Sequence, residues 1–482
     1  MIFENKDNIS HLSFQLLYKG SSDGLEIKKT TEHLVDRGFL PALQALMDKY
    51  SPTGSLLSID RIVCDVEVSE RDFNAALTQK IIAEIEKQLV DKIDGSDQQA
   101  GLLTGETRFA EALLFYLKNG FLPWFANIST RTQLNELVAV LVRQGMTDDS
   151  IGAVIQQLKF DAVILRICND FDEQVFWAFI ALLTGSKSKQ LLDTWRVDYY
   201  AIASAAGMPI DAAVMARTYK KSLLKSIAAY GLAASAQSMA VMNRRFAKLF
   251  VSELASEIKS PEIVEQLTVA GIMARLQNQI LAEQLGDTGS RNDPKPENGA
   301  KPDIEMETKS DEISQKHSNE PIYVNNSGLV IIGPYLTLFF KRLAVVEDNK
   351  IVNPSKAVTL LHYIATGTES FAEFEVVLPK LLCGFEPDFA IPASYQITPG
   401  DMELVDELLK SVISHWTILK NTSVTGLRET FLLREGKLIS VPDGSRLKVQ
   451  RNTIDVLLEQ LPWSISMIKL PWMTKLLTVD WL

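Results

Sequence analysis

The chain has 482 residues, 46% of them hydrophobic, and carries 60 acidic against 49 basic side chains, for a formal net charge of -11 and a pI near 5.2. Length and apolar content exclude a disordered protein and allow roughly two to four domains with cores of their own. The acidic balance argues against nucleic acid or an anionic membrane as the main partner, because both recruit basic surface.

The three cysteines, Cys64, Cys168 and Cys383, are far apart and lack C-x-x-C spacing, which supports neither a disulfide framework nor a zinc site and fits a reducing cytoplasm. MIFENKDNISH at positions 1–11 has no basic segment leading into an apolar core, so no secretory signal is expected.

In chain order, Leu12, Phe14, Leu16 and Tyr18 alternate as in a half-buried strand over His11 to Tyr18. A helical pattern runs from Leu25 to Tyr50, with a break expected near Gly38 and Pro41 suited to the first turn of a second piece. Leu57 to Val68 alternates again and predicts a strand, and Asp72 to Ile93 has the apolar spacing of an amphipathic helix. Gly95 to Gly105 reads as a surface loop. Arg108 to Ala126 predicts a short helix stopped by Gly120 and followed by a Pro123-Trp124 pair. LLFYLKNG at 113–120 and LLHYIATG at 360–367 share spacing, which generic helix-plus-glycine chemistry explains as well as a repeat does.

Thr130 to Leu285 is helical in pattern, with stops near Gly145, Gly185 and Pro209; as one straight rod it would span roughly 230 Å. Within it, the uncharged stretch Ser226 to Asn243 has the length of a membrane segment. Its alanine, serine and glutamine content favours a buried or self-associating helix, and it is the one place where membrane contact stays open. Gly286 to Glu320 holds no aromatic residue and few apolar ones, the composition of a disordered linker.

Beyond it, Leu329 to Ile332 leads past Gly333-Pro334 into a helix, and further helices are expected at Ser355 to Ala365 and Met402 to Thr417. KLISV and RLKVQ around Pro442-Asp443-Gly444-Ser445 predict a hairpin. LPWSISMIKLPWM, Leu461 to Met473, reads as one short strand between two Pro-Trp corners, and LLTVDWL as a further strand. The expected fold is α+β and multidomain: a small α/β N-terminal domain at 1–127, a mainly helical middle at 128–285, a linker at 286–320 and a C-terminal α+β domain at 321–482.

Catalytic patterns are not found. No G-x-S-x-G, P-loop or dinucleotide motif occurs, the five histidines are scattered, and no cofactor or metal is expected. Asp148 with Asp149 and Asp170 with Asp172 read as helix caps and a solvated face rather than acid/base pairs. Arg428 and Arg434, with Trp124, Trp463 and Trp472, are candidates either for core anchors or for contacts with another protein.

The phrases NSGLVIIGPYL, LLHYIATG, LPKLLCGF, HWTILKNTSVTGLRETFLLREGKL and LPWSISMIKLPWM occur in the order found in contractile injection system tape measure proteins, which the chain resembles. FLPALQALMDKY, LLSIDRIVCDV and LLFYLKNGFLPWF resemble the opening part of the same family. The resemblance covers roughly 10–126 and 325–482 and implies a structural protein of a phage-tail-like contractile particle, without an active site, acting in tube assembly and length determination. It implies other tail proteins as partners (tube, baseplate or tube-end components), several copies within the particle, and cytoplasmic assembly. A pure ruler would be one unbroken helix, whereas this chain has mixed ends and interrupted helices. The alternative is therefore an adaptor or scaffold joining tail components, with an enzyme of unknown type as the remaining one.

Overall fold

A computed structural model of the chain describes residues 29–31, 33–50, 75–94, 105–126, 128–185, 212–230, 246, 248–256, 321–392, 395–419 and 421–481, with isolated positions 62, 64 and 66. The strands expected at His11 to Tyr18 and Leu57 to Val68, the stop at Pro209, most of Ser226 to Asn243 and the linker Gly286 to Glu320 lie outside the described residues or nearly so. The fold class is α+β and multidomain. Contacts divide the chain into two units, one of residues 1–112 and 124–127, the other of 113–123 and 128–482.

In the first unit the helix Leu40–Tyr50 packs against Ala75–Asp94. Phe39, Leu43, Leu46 and Leu89 form the buried core, with Met47, Tyr50, Ile81, Ile82 and Ile85 against it. On the rim Glu86 accepts hydrogen bonds from the Lys49 ammonium at 2.6 Å and the Tyr50 hydroxyl at 2.7 Å. The break expected at Gly38 is instead a π-helical turn over Val35–Phe39 in a helix that runs on to Tyr50, with the Leu40 N–H donating to the Val35 carbonyl. Pro41 supplies the reason: without an N–H it cannot bond the carbonyl four residues back, and the helix absorbs the misfit as one wide turn.

The second unit begins its helical part with Arg131–Gln144, Asp148–Gln157, Asp161–Asp170 and Glu173–Thr184. Gly145 and Gly185 end the first and last of these, as the glycine pattern predicts. Two further breaks carry no glycine. Phe160 and Asp172 each adopt an extended conformation and start a new helix, and Thr147 caps its helix by accepting from the Ser150 N–H. The helix Ala212–Tyr230 lies against Asp161–Asp170 and Asp148–Gln157. Among the described residues no helix is long and apolar enough to cross a membrane.

The remainder folds around a five-stranded mixed sheet, in the order β1-β4-β5-β7-β6. The strands are β1 (Ile322–Val324), β4 (Gly436–Val441), β5 (Gly444–Val449), β6 (Met467–Ile468) and β7 (Leu476–Asp480), while β2 (Val346–Glu347) and β3 (Lys350–Ile351) form a separate ribbon. β4 and β5 make the predicted hairpin, closing through Pro442 and Asp443. β7 then runs parallel to β5 and between it and β6.

One face of the sheet carries Val324, Leu438, Leu447, Val449, Leu477 and Ile468 into the core, where the helices Gly333–Arg342, Pro354–Thr366, Val377–Leu382 and Pro399–His415 complete the packing. The other face carries Lys437, Arg446, Lys448 and Met467 outward. The strand expected between the two Pro-Trp corners is reduced to β6, because Ile465, Ile468 and Leu470 all turn inward while Met467 stays 66% exposed. Three inward side chains at offsets of three and two cannot follow a two-residue repeat, so pairing ends at Ile468.

Candidate functional site

The most polar buried place in the second unit is built from three segments distant in sequence. The helix Gly105–Asn119 ends at Gly120, whose φ of 74° and N–H bond to the Tyr116 carbonyl at 2.8 Å close the last turn. Arg166, on Asp161–Asp170, donates to the carbonyls of Leu117 at 2.6 Å and Lys118 at 2.8 Å, satisfying groups that a helix end leaves open. The same guanidinium reaches the Asp388 carbonyl at 2.5 Å and the Glu373 carboxylate at 3.0 Å.

Glu373 opens the short 3-10 turn Glu373–Val376, and its Oε1 also receives the Lys380 ammonium at 3.0 Å. Lys380 further donates to the Pro387 and Phe389 carbonyls. Asp170 takes hydrogen bonds from the Tyr116 hydroxyl and from the Glu373 N–H. All of this is closed to solvent: the side chains of Arg166 and Lys380 are 0% exposed and that of Glu373 is 5% exposed.

Electrostatics follow from the burial. Desolvation, and then the charge of Glu373, push the Asp170 carboxyl up from 3.8 to about 7. Burial, with Asp170 and Glu373 adding to it, raises the Tyr116 phenol well above its ordinary value. Desolvation lowers the Lys380 ammonium against the pull of Glu373. The reading of Asp170 as a cap or solvated carboxylate is thus corrected; Asp172, 59% exposed and 3.2 Å from Arg131, keeps the solvated part.

Each cation here is taken up by main-chain carbonyls and one carboxylate, so the cluster is a junction between segments and leaves no open ligand position. Removing one partner of such a buried pair leaves an uncompensated buried charge and so costs more than the intact pair contributes. Among the described residues no group of three or more His, Cys, Asp or Glu could hold a metal ion.

Arg428 repeats the device at a second helix end. Gly367 closes Pro354–Thr366 with a φ of 76°, and Arg428 donates to the carbonyls of Ile364 at 3.0 Å and Tyr363 at 3.2 Å, its guanidinium over the Tyr363 ring. The two phrases LLFYLKNG and LLHYIATG therefore share one structural solution, a glycine stop covered by an arginine.

Arg434 holds both oxygens of Asp455, at 2.8 and 2.9 Å, and the Gln450 carbonyl at 2.8 Å. Asp455 also accepts from the Asn452 N–H and the Trp481 indole. Trp472 is buried, donates to the Leu382 carbonyl at 2.8 Å and stacks on Phe340, whereas Trp463 is half-buried and donates to the Ile331 carbonyl at 2.9 Å. Trp124, in the first unit, is half-buried with its ring edge-on to Phe125. Arg428, Arg434, Trp463 and Trp472 thus share one unit without meeting at one place.

Tyr116, Arg166, Asp170, Glu373 and Lys380 were not among the residues that pattern reading nominates. The available signal was a lone cation inside an apolar run, Arg166 in VILRIC and Lys380 in VVLPKLLC.

Together these features define an α+β protein of more than one unit whose buried charges bind its own segments to each other. The chain matches the family described as contractile injection system tape measure protein over residues 6–481 and belongs to that family. Its role is structural, in tail assembly, in contact with other components of the injection particle. Comparisons with curated proteins and with solved structures found no match.

Proposed function

We propose that this chain acts, without catalysis of its own, in building the tail tube of a contractile injection particle and in setting its length. The family match over 6–481 carries the reading, since it spans both units rather than one module. The proposal includes assembly in the cytoplasm, contacts with tube, baseplate or tube-end components, and more than one copy per particle. The packed parts supply surfaces that hold their shape on docking, and the polar stretch 286–320 within the second unit supplies reach.

Changing reach without touching a packed core tests this. Residues 286–320 are polar, so deleting or duplicating them alters contour while sparing the helices and sheet described above. Duplication adds at most roughly 120 Å at about 3.4 Å per residue. Tube length in electron micrographs should move in the direction of the change. Normal numbers of particles with unchanged tubes would remove the length-setting role and leave the assembly role.

A further inference from the structure

The outward face of the sheet carries an arrangement that stability alone does not favour. The register sets Lys437 on β4 directly opposite Lys448 on β5, with Arg446 on the diagonal, and all three are exposed. Like charges facing each other across two strands are destabilising. Asp480 on β7 continues the row beside Lys448, so one carboxylate stands against three cations. None of the three cations has an ion-pair partner among the described residues. This occurs in a chain whose acidic side chains outnumber its basic ones by 60 to 49.

The next row along the same face runs Ile439, Arg446, Thr478 and Met467, the last of these 66% exposed. A row with two facing lysines therefore lies beside one in which Arg446 and Thr478 stand between the apolar side chains of Ile439 and Met467. Both edges of the sheet are short, three residues in β1 and two in β6, so pairing of an added strand has little template and the face is the larger offering.

We propose that this face docks an acidic amphipathic helix of another tail component, its carboxylates over Lys437, Arg446 and Lys448 and its aliphatic side over Ile439 and Met467. Charge complementarity selects the occupant: an acidic partner removes the repulsion built into the row, and a helix presents carboxylates and aliphatic groups on adjacent sides. The inference rests on the assembly role proposed above and names the partner chemistry of one surface.

The test uses the full chain in particle-forming cells, with Met467 replaced by the photo-crosslinking residue p-benzoylphenylalanine and the attached peptide identified by mass spectrometry. The expected product is a carboxylate-rich helical peptide of another tail component. In a Lys437→Glu background the crosslink should fall by about tenfold or more, while the purified chain melts no lower, since an opposite-charge pair with Lys448 replaces a like-charge one and Asp480 is not paired with this position. A crosslink to the chain itself, to a second copy, to nucleic acid or to lipid overturns the proposal. So does no crosslink at all, or one that Lys437→Glu leaves unchanged. Tube length in the same particles reports separately on the assembly role, so normal tubes without the crosslink would remove the docking helix alone.

Discussion

The guanidinium of Arg166 lies where a side chain on Gly120 would have to go: a Cβ built there falls 2.7 Å from Nη2 and also meets Glu373 Oε1. Glycine at this position serves both the left-handed turn that ends the helix and the space that admits the arginine to its last carbonyls.

Gly120→Ala should accordingly destabilise the chain by more than backbone strain alone. Gly145→Ala is the control, because Gly145 has a φ of 87° but open space around its Cβ direction. Strain at a glycine-only backbone position such as Gly145, with φ 87° and ψ 161°, is worth about 1–3 kcal/mol. Denaturant titration should show a loss near that figure for Gly145→Ala and a further loss of at least about 2 kcal/mol for Gly120→Ala, from the displaced buried charges. Equal losses would mean that the junction rearranges freely.

Asp170 and His362 give opposite pH dependences. Asp170 is raised from 3.8 to about 7, so its folded form holds a proton more tightly; its contribution is fully present below pH 3.8 and lost as pH rises through 7. Burial lowers His362 from 6.5 to about 4, so its contribution is present above pH 6.5 and lost as pH falls through 4. Between these limits the two partly cancel. Asp170→Asn, which keeps an acceptor for Tyr116, should leave a chain that loses stability on acidification from pH 6.5 to 4. His362→Leu should leave one that gains it. Each change should be on the order of 2–3 kcal/mol across the window in denaturant midpoints. Superimposable pH profiles for Asp170→Asn and the parent chain would refute the Asp170 assignment.

Arg434 and Asp455 test geometry against charge. Arg434→Ala strands a carboxylate that is 9% exposed and should cost about 3–5 kcal/mol. Arg434→Lys keeps the charge but cannot supply two parallel donors to the carboxylate and a third to the Gln450 carbonyl, so most of the loss should remain. Full recovery with lysine, read by thermal melting, would show that charge alone suffices.

The two Pro-Trp tryptophans should separate. Trp472→Ala removes a buried indole stacked 5.3 Å from the Phe340 ring and should cost about 3–5 kcal/mol. Trp463→Ala removes a half-buried one and should cost less in the same assay. The reverse order would mean that the indole of Trp463 anchors the corner through its bond to the Ile331 carbonyl more strongly than burial implies.

What the sequence made legible was local. Pro442-Asp443 announced a hairpin because few residues fit a two-residue turn, and Gly120, Gly145 and Gly367 announced helix ends because a left-handed residue is costly for any other type. The break at Phe160 was hidden, since an aromatic residue carries no stop signal and only Thr147 and its acidic neighbours mark a start nearby. The junction was hidden for another reason. Arg166 and Glu373 are 207 positions apart, and each alone has the composition of an ordinary surface residue. Asp170 was misread by the same logic, because its burial depends on Tyr116 and on the Glu373 backbone rather than on its neighbours in the chain.

The position of β7 has a consequence for how the chain is made. Residues 476–480 fill an interior place in the sheet, between β5 and β6, although they form the last of its strands in sequence order. Until they emerge, β5 has one unpaired side, and the row that joins Lys448 to Asp480 does not exist. The outward row of this sheet is therefore complete only once residue 480 has been made and β7 has paired with β5, whichever of the other strands form first.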